Sequence, residues 1–336
     1  MSMSGHRLSA MWRAVRAVVQ GLFCFCALTG VGIGVARAAG ADAFPSEIRI
    51  GVQKGDGLIA LRASGQLEKV FAPLHVKVKW IEFVYGEPLI EAINAGDIDV
   101  GTVGSTPPIL AQAGKAPEIV YVAYSPRLRG SYGLIVPAGS SIKTIRDLKG
   151  KRIAFANGSQ GHLFLLKALA DAGVDPASTQ LTRLAYSDAR AAFERGYVDA
   201  WVVPDPRYAD TELASGARTI LTIGQLSVPQ YGFYVAPRSF ASRYPAALRV
   251  LFDTLAKQTA HELAHPDETA VFLSQNTGVP LRVWQRALPR LDWGVAYPLT
   301  DDVIRAQQDA ANLAFDSHLI TRAIDVRQAV VDIGQR

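Results

Sequence analysis

The stretch FANGSQGHLFLLKALADAG, residues 155–173, contains a glycine-rich turn between a predicted strand and a predicted helix. A β-type run ends at Phe155, small and polar residues follow, and an apolar helix pattern begins at Leu163. A helix that starts at such a turn exposes backbone N–H groups without partners inside the helix. The helix dipole adds partial positive charge at the same place. We therefore predict that this turn can hold an anion without help from lysine or arginine.

The same unit occurs earlier in the chain. When EIRIGVQKGD (47–56) is aligned with KRIAFANGSQ (151–160), Gly55 falls on Gly158. Two later segments, EAINAGDIDVGTVGSTPP and AAFERGYVDAWVVPDP, also match, and they place Asp99 opposite Asp199. Strands that alternate with helices indicate an α/β fold. The repeat predicts two lobes, each a mostly parallel sheet flanked by helices.

Four loops follow the predicted strands, at residues 53–57, 104–107, 157–161 and 204–207. Ligands of open α/β sheets bind beyond the carboxyl ends of the strands. If the lobes face each other, the four loops line one cleft. Thr106 is predicted to be an N-cap, with Pro107 at the first helical position. Two purely structural alternatives stay open: Ser159 as a cap of its helix, and His162 as a packing or capping residue.

The first 38 residues have the features of a secretory signal peptide. Arg7, Arg13 and Arg16 precede an apolar run over residues 21–35, and Ala36-Arg37-Ala38 matches a signal peptidase site. The run is short for a spanning helix, which needs about 20 apolar residues. We predict cleavage after Ala38; the alternative is an uncleaved membrane anchor.

Cleavage would change the composition of the mature chain. Both cysteines, Cys24 and Cys26, lie in the signal, and so do four arginines and no acidic residue. The remaining 31 basic and 30 acidic residues nearly cancel, so bulk charge does not favour nucleic acid as a partner. We expect a monomeric periplasmic protein without cysteine chemistry and without a cofactor.

One segment, His261-Glu262-Leu263-Ala264-His265, matches the H-E-x-x-H pattern of zinc peptidases. Pro266 follows directly and disfavours helical geometry at His265, so a solvated helix junction is the preferred interpretation. A zinc hydrolase is kept as an alternative function. No P-loop, no G-x-G-x-x-G turn after either strand and no G-x-S-x-G elbow occurs in the sequence.

Four segments carry a family resemblance: IRIGVQKG, EAINAGDIDVGTVGSTPPILAQA, IKTIRDLKGKRIAFANGSQGHLFLLKALADAG and DARAAFERGYVDAWVVPDP. They resemble the periplasmic substrate-binding proteins of ABC importers for aliphatic sulfonates and taurine, from about residue 47 to 330. The resemblance implies a two-lobed periplasmic-binding-protein fold of type II. It also implies a non-catalytic receptor that closes on a small anionic organic ligand and delivers it to a membrane-embedded ABC permease. The broader family includes binders of nitrate and thiamine precursors, so these ligands, and sulfate esters, stay open.

The resemblance also suggests boundaries and a site. Lobe 1 would comprise residues 45–130 and 231–336, and lobe 2 residues 131–230. Three residues depart from the family pattern, namely Glu87, Ser105 and Pro204, and Glu87 would repel an anion if it faced the cleft. The residues that the resemblance places in the binding site are Gln53, Lys54, Gly55, Gly86, Ser105, Thr106, Gly158, Ser159, Gln160, His162, Asp205 and Tyr231, with Tyr85 and Tyr231 near the ligand's tail.

Overall fold

A computed structural model describes residues 43–114 and 118–334, and the predicted signal peptide lies outside these ranges. The strands are β1 (Glu47–Val52), β2 (Lys77–Glu82), β3 (Val100–Val103), β4 (Ile119–Arg127), β5 (Tyr132–Val136), β6 (Arg152–Phe155), β7 (Gln180–Arg183), β8 (Ala200–Pro204), β9 (Arg218–Thr222) and β10 (Tyr231–Pro237). The helices are α1 (Leu58–Ser64), α2 (Gln66–Phe71), α3 (Gly86–Ala95), α4 (Thr106–Ala113), α5 (Gln160–Asp171), α6 (Tyr186–Glu194), α7 (Arg207–Ser215), α8 (Arg238–Arg243), α9 (Pro245–Ala264), α10 (Pro266–Thr277), α11 (Leu281–Ala287) and α12 (Asp301–Asp316). Within the described ranges, none of these helices combines the length and apolar character that crossing a membrane requires.

The strands form two five-stranded sheets with the same plan. Their orders are β2-β1-β3-β10-β4 and β7-β6-β8-β5-β9. The predicted α/β, two-lobed fold is confirmed, but each sheet is mixed rather than mostly parallel. The strand that arrives from the other sheet, β10 in the first and β5 in the second, runs antiparallel to both of its neighbours. The other two pairings in each sheet are parallel.

The internal repeat extends to individual hydrogen bonds. The Arg49 Nε donates to Asp99 Oδ2 at 2.9 Å, and the Arg152 Nε donates to Asp199 Oδ2 at 3.1 Å. In both copies the arginine also binds the carbonyl of the left-handed glycine that ends the preceding helix. Asp99 is therefore a buried ion-pair partner. Each pair ties the start of a central strand to the strand beside it.

Helices of the C-terminal segment cover the first sheet. Leu251 and Phe252 of α9 and Trp284 of α11 belong to the same buried cluster as Ile50 of β1. The two sheets also share apolar contacts, because Leu163 of α5 lies in a cluster built mainly on the first sheet. Residues that follow β1, β3, β6 and β8 line one cavity, so the carboxyl ends of the parallel strands face a common space.

Candidate functional site

A cavity lies between the carboxyl ends of the two sheets. The space enclosed by its lining is about 820 Å³, a volume that includes space open to solvent. Residues from both sheets and from the segment 291–294 line it. Of the site residues predicted from the sequence, the cavity brings together Gln53, Lys54, Gly55, Gln160 and Asp205.

The loop after β1 is held in place by three contacts. Trp293 Nε1 donates to the Gly55 carbonyl at 2.9 Å, and Gln53 Nε2 donates to the Thr102 carbonyl at 2.7 Å. On its other side Gly55 touches the second sheet, since a Cβ at this position would lie 2.5 Å from the Asp205 carbonyl oxygen. Only glycine permits this approach between the two loops.

Asp56 closes the same loop. Its carboxylate accepts from the backbone N–H of Gln53 at 2.7 Å and from that of Ile59 at 3.2 Å. Burial raises the pKa of Asp56 to about 7, although these backbone donors oppose the shift. The residue therefore shapes the loop and brings an acidic group to the cavity wall.

The second predicted loop does not present its helix start to the cavity. Ser105, not Thr106, precedes α4 as its N-cap, so the predicted position is wrong by one residue. The Ser105 N–H donates to Oε1 of Gln160, which reaches across from the second sheet. Gly104 permits this approach, because a Cβ there would lie 2.5 Å from the Gln160 Cβ. A neutral amide thus takes the place where an anion was expected, and Ser105 and Thr106 are buried away from the cavity.

The polar groups of the third predicted loop, residues 157–161, also form hydrogen bonds within the loop and with its own helix. Ser159 is the N-cap of α5, with its Oγ accepting from Gly161 N–H at 3.1 Å. Gly158 has φ +67° and donates its N–H to Nδ1 of His162. The His162 ring lies on Phe155, with centroids 4.5 Å apart. Gly158, Ser159 and His162 do not line the cavity, in agreement with the structural alternatives considered for Ser159 and His162.

The buried position of His162 has a consequence for pH dependence. Burial lowers its pKa to about 4, whereas an unfolded chain has a histidine pKa of about 6.5. The folded state therefore binds fewer protons, so the contribution to stability is complete above pH 6.5 and is lost as pH falls towards 4. From these values we expect a loss of about 2 kcal/mol in the free energy of unfolding by about pH 5.

The measurement is urea denaturation at neutral and acid pH. His162→Gln should lose about 2 kcal/mol less than wild type on acidification to about pH 5. His261→Gln, at an exposed histidine, is the matched control and should follow wild type. Equal losses in wild type and His162→Gln would contradict this assignment.

Gly86 and Tyr231, the two remaining predicted site residues, take part in packing. A Cβ on Gly86 would lie 2.5 Å from Pro107 Cγ, so this glycine permits α3 to contact α4. Tyr231 lies against Tyr124 at the start of β10, and neither Gly86 nor Tyr231 lines the cavity. Tyr85 makes an edge-on contact with Tyr186 of the other sheet, with centroids 6.0 Å apart.

Glu87 does not line the cavity. Its carboxyl group lies against the Gly158 turn, where a Cβ would be 2.9 Å from the Glu87 Cδ. Burial raises the pKa of Glu87, and the charge of Glu91 adds to the shift. Glu87 therefore does not face the cavity, and the repulsion of a bound anion that was considered for this residue does not apply.

Sequence reasoning missed several residues that line the cavity. They include Ser131 before β5, Tyr186 at the start of α6, Arg207 at the start of α7 and Asp292. Arg207 lies inside the predicted loop 204–207, but its neighbours in sequence do not indicate which way its side chain points. Tyr186 follows β7, whose carboxyl end belongs to the same edge as those of β6 and β8, and this position could have been found.

The family model described as NMT1/THI5 like matches residues 73–269. A protein of Escherichia coli (strain K12) that is named for the binding of aliphatic sulfonates is 35% identical over 87% of this chain and 91% of its own. The chain belongs to the NMT1/THI5-like family, in the group of the aliphatic sulfonate-binding proteins.

Solved structures of this family agree with the fold. The periplasmic aliphatic sulphonate binding protein of Escherichia coli has a TM-score of 0.79 and 34% identity, over 87% of this chain and 94% of its own. The alkanesulfonate-binding protein of Xanthomonas axonopodis pv. citri, bound to MOPS, has a TM-score of 0.77 and 35% identity, over 85% and 98%. These family members are named as binding proteins, not as enzymes.

The fold itself also supports chemistry in distant proteins. A desulfurization enzyme has a TM-score of 0.61 at 14% identity, over 85% of this chain and 96% of its own. That likeness concerns the fold alone. Whether a protein with this fold is an enzyme or a receptor therefore depends on the residues of its site.

The H-E-x-x-H segment does not form a catalytic set in this family member. His265 lies between α9 and α10, and its ring stacks on His261 at the surface. Glu262 is buried instead and accepts from Gln258 Nε2 at 2.7 Å. Within residues 43–114 and 118–334 no group of three metal-binding side chains is found. The segment is therefore a helix junction, as the sequence favoured, but it is solvated only at the two histidines, since Glu262 is buried.

Proposed function

We propose that the protein is a periplasmic receptor that captures a small sulfonate in the inter-lobe cavity and delivers it to an ABC permease. The supporting observation is the match to sulfonate-binding proteins over nearly their whole length, combined with a cavity at the strand ends. Residues 1–38 would direct export and be removed. The mature chain would act as a monomer, with lobe 1 formed by residues 45–130 and 231–336 and lobe 2 by residues 131–230.

The contacts across the cavity support a mechanism of closure without chemistry. Gly55 of one lobe meets Asp205 of the other, and Gln160 bonds to Ser105 across the gap. Such contacts can form only when the lobes are together, so hinge rotation would make and break them. The Asp205 carboxylate is paired with Arg290 at 2.9 Å and is not placed as a free base or nucleophile.

The test is a thermal-shift panel on the mature protein. Alkanesulfonates, taurine and MOPS should raise the Tm, because a ligand present at about 100 times its Kd adds about 2.7 kcal/mol to the free energy of unfolding. For a chain of this size that corresponds to a rise of several degrees. Nitrate, sulfate, an aryl sulfate ester and a pyrimidine precursor of thiamine are the competing ligands in the panel. A rise with one of these and none with any sulfonate would overturn the proposal in favour of the corresponding family ligand.

A further inference from the structure

Arg207 is a cavity cation whose charge has no acidic partner among the residues that the structure describes. Two acids of the same lining are each matched by an arginine from outside it. Asp205 pairs with Arg290 at 2.9 Å, and Asp292 pairs with Arg129 at 2.5 Å. The charge of Arg207 is therefore available to a ligand.

The position of Arg207 makes its positive charge energetically unfavourable unless an anion binds beside it. It is the first residue of α7, where the helix dipole already contributes positive charge and disfavours a cation. The guanidinium lies 5.0 Å from the centre of the Tyr186 ring, which compensates only in part. Lys54, the other cation of the lining, is 3.9 Å from Glu82, and its side chain is 40% exposed. Positive potential is therefore concentrated at Arg207.

Two hydroxyl groups of the lining add neutral donors on the same side. Tyr186 and Ser131 are 2% and 7% exposed. The Ser131 hydroxyl has no hydrogen-bond partner within the described residues, whereas the Tyr186 hydroxyl lies beside the hydroxyls of Ser159 and Tyr132. The Ser131 carbonyl accepts from Asp205 N–H at 2.9 Å, so Ser131 lies beside the loop that carries Arg207. Burial raises the pKa of Tyr186, which keeps this hydroxyl protonated and able to donate. Burial of the Ser131 hydroxyl without a partner is unfavourable, and a hydrogen bond to a ligand oxygen would remove that cost.

We propose that Arg207, with the hydroxyl groups of Tyr186 and Ser131, holds the anionic headgroup of the ligand. This inference rests on the proposed function and moves the headgroup away from the helix starts at α4 and α5. The guanidinium presents a planar fork of donors to two oxygens, and the hydroxyls serve the third. A sulfonate has three such oxygens and one negative charge.

The experiment measures the affinity for ethanesulfonate by calorimetry on the mature protein. Arg207→Met keeps the apolar stem and removes the charge. It should weaken binding by about 100-fold, because the charge-assisted hydrogen bonds of the guanidinium are lost. Tyr186→Phe should weaken it by about tenfold on the same basis. Arg207→Lys keeps the positive charge but lacks the planar fork of donors. Its affinity for ethanesulfonate should lie between those of Arg207→Met and wild type. Arg195→Met, at an exposed arginine of the same lobe, is the control and should bind as wild type.

The outcomes separate this inference from the proposed function. If wild type binds no sulfonate, the proposed function fails. If wild type binds ethanesulfonate, and both Arg207→Lys and Tyr186→Phe bind within about twofold of it, the headgroup is held elsewhere and the inference fails. Arg207→Lys and Tyr186→Phe retain the charge and the ring respectively, so the test does not depend on the folding of Arg207→Met. A crystal structure with ethanesulfonate should place its oxygens at Arg207; oxygens at the start of α5 would overturn the inference.

Discussion

Gly55→Ala should lose most of its ligand affinity. The new Cβ would lie 2.5 Å from the Asp205 carbonyl oxygen, a backbone atom that cannot move aside independently. The clash exists only where the loops of the two lobes meet, so the open form should tolerate the methyl group while the closed form does not. Overpacking of this kind costs about 1–3 kcal/mol, which corresponds to a loss of about 5- to 150-fold in affinity.

Calorimetry and small-angle scattering together test this prediction. In Gly55→Ala the radius of gyration should stay at its unliganded value when a sulfonate that contracts wild type is added. Gly139→Ala is the matched control, because a Cβ at that position would have no neighbour within 4 Å. Wild-type affinity and contraction in Gly55→Ala would show that the two loops do not need to approach each other for binding.

Arg290→Met should be the most destabilising of the substitutions considered. Arg290 donates to Asp205 at 2.9 Å and to Glu212 at 2.7 Å, and its guanidinium lies 3.8 Å from the centre of the Tyr208 ring. The Asp205 side chain is fully buried. Removing one partner of a buried pair costs about 3–5 kcal/mol, and we expect about 3 kcal/mol because Arg290 is 18% exposed.

Asp205, which loses its partner in Arg290→Met, provides a second test of this prediction. Burial raises the pKa of Asp205 to about 7 even with Arg290 opposing the shift, so without Arg290 the carboxyl should be protonated at neutral pH. Asp205→Asn in the Arg290→Met background should then recover part of the lost stability. Arg286→Met removes an exposed contact to the same Glu212 and should cost less than about 1 kcal/mol. Urea denaturation compares the four proteins, and equal costs for Arg290→Met and Arg286→Met would refute the account.

Much of the fold could be predicted because its signals are local. The strand, glycine turn and helix at residues 155–173 depend on hydrophobic period and on the freedom of Gly158 to adopt a positive φ. The repeat placed Asp99 opposite Asp199, and both form the same bond pattern with an arginine. The antiparallel entry of β5 and β10 could not be read from these patterns, since strand direction depends on where the chain passes from one sheet to the other.

The candidate site could be predicted only as a set of loops. The loops at 53–57 and 204–207 do reach the cavity, but the helix starts at Ser105 and Ser159 are occupied by a glutamine amide and by a self-cap. Burial of a polar side chain and its hydrogen-bond partner depend on segments far away in sequence. The spacing of residues within either loop therefore does not predict which polar side chains are buried or which partners they bind.

The two α/β lobes and their glycine turns could be inferred from local sequence patterns, because they depend on contacts between residues close along the chain. Only the tertiary structure decided that Gln160 fills the start of α4, that Arg290 neutralises Asp205 and that Arg207 retains an uncompensated charge. Each of these outcomes depends on which side chains of distant segments meet when the lobes pack. That packing selects partners by shape and charge over the whole molecule.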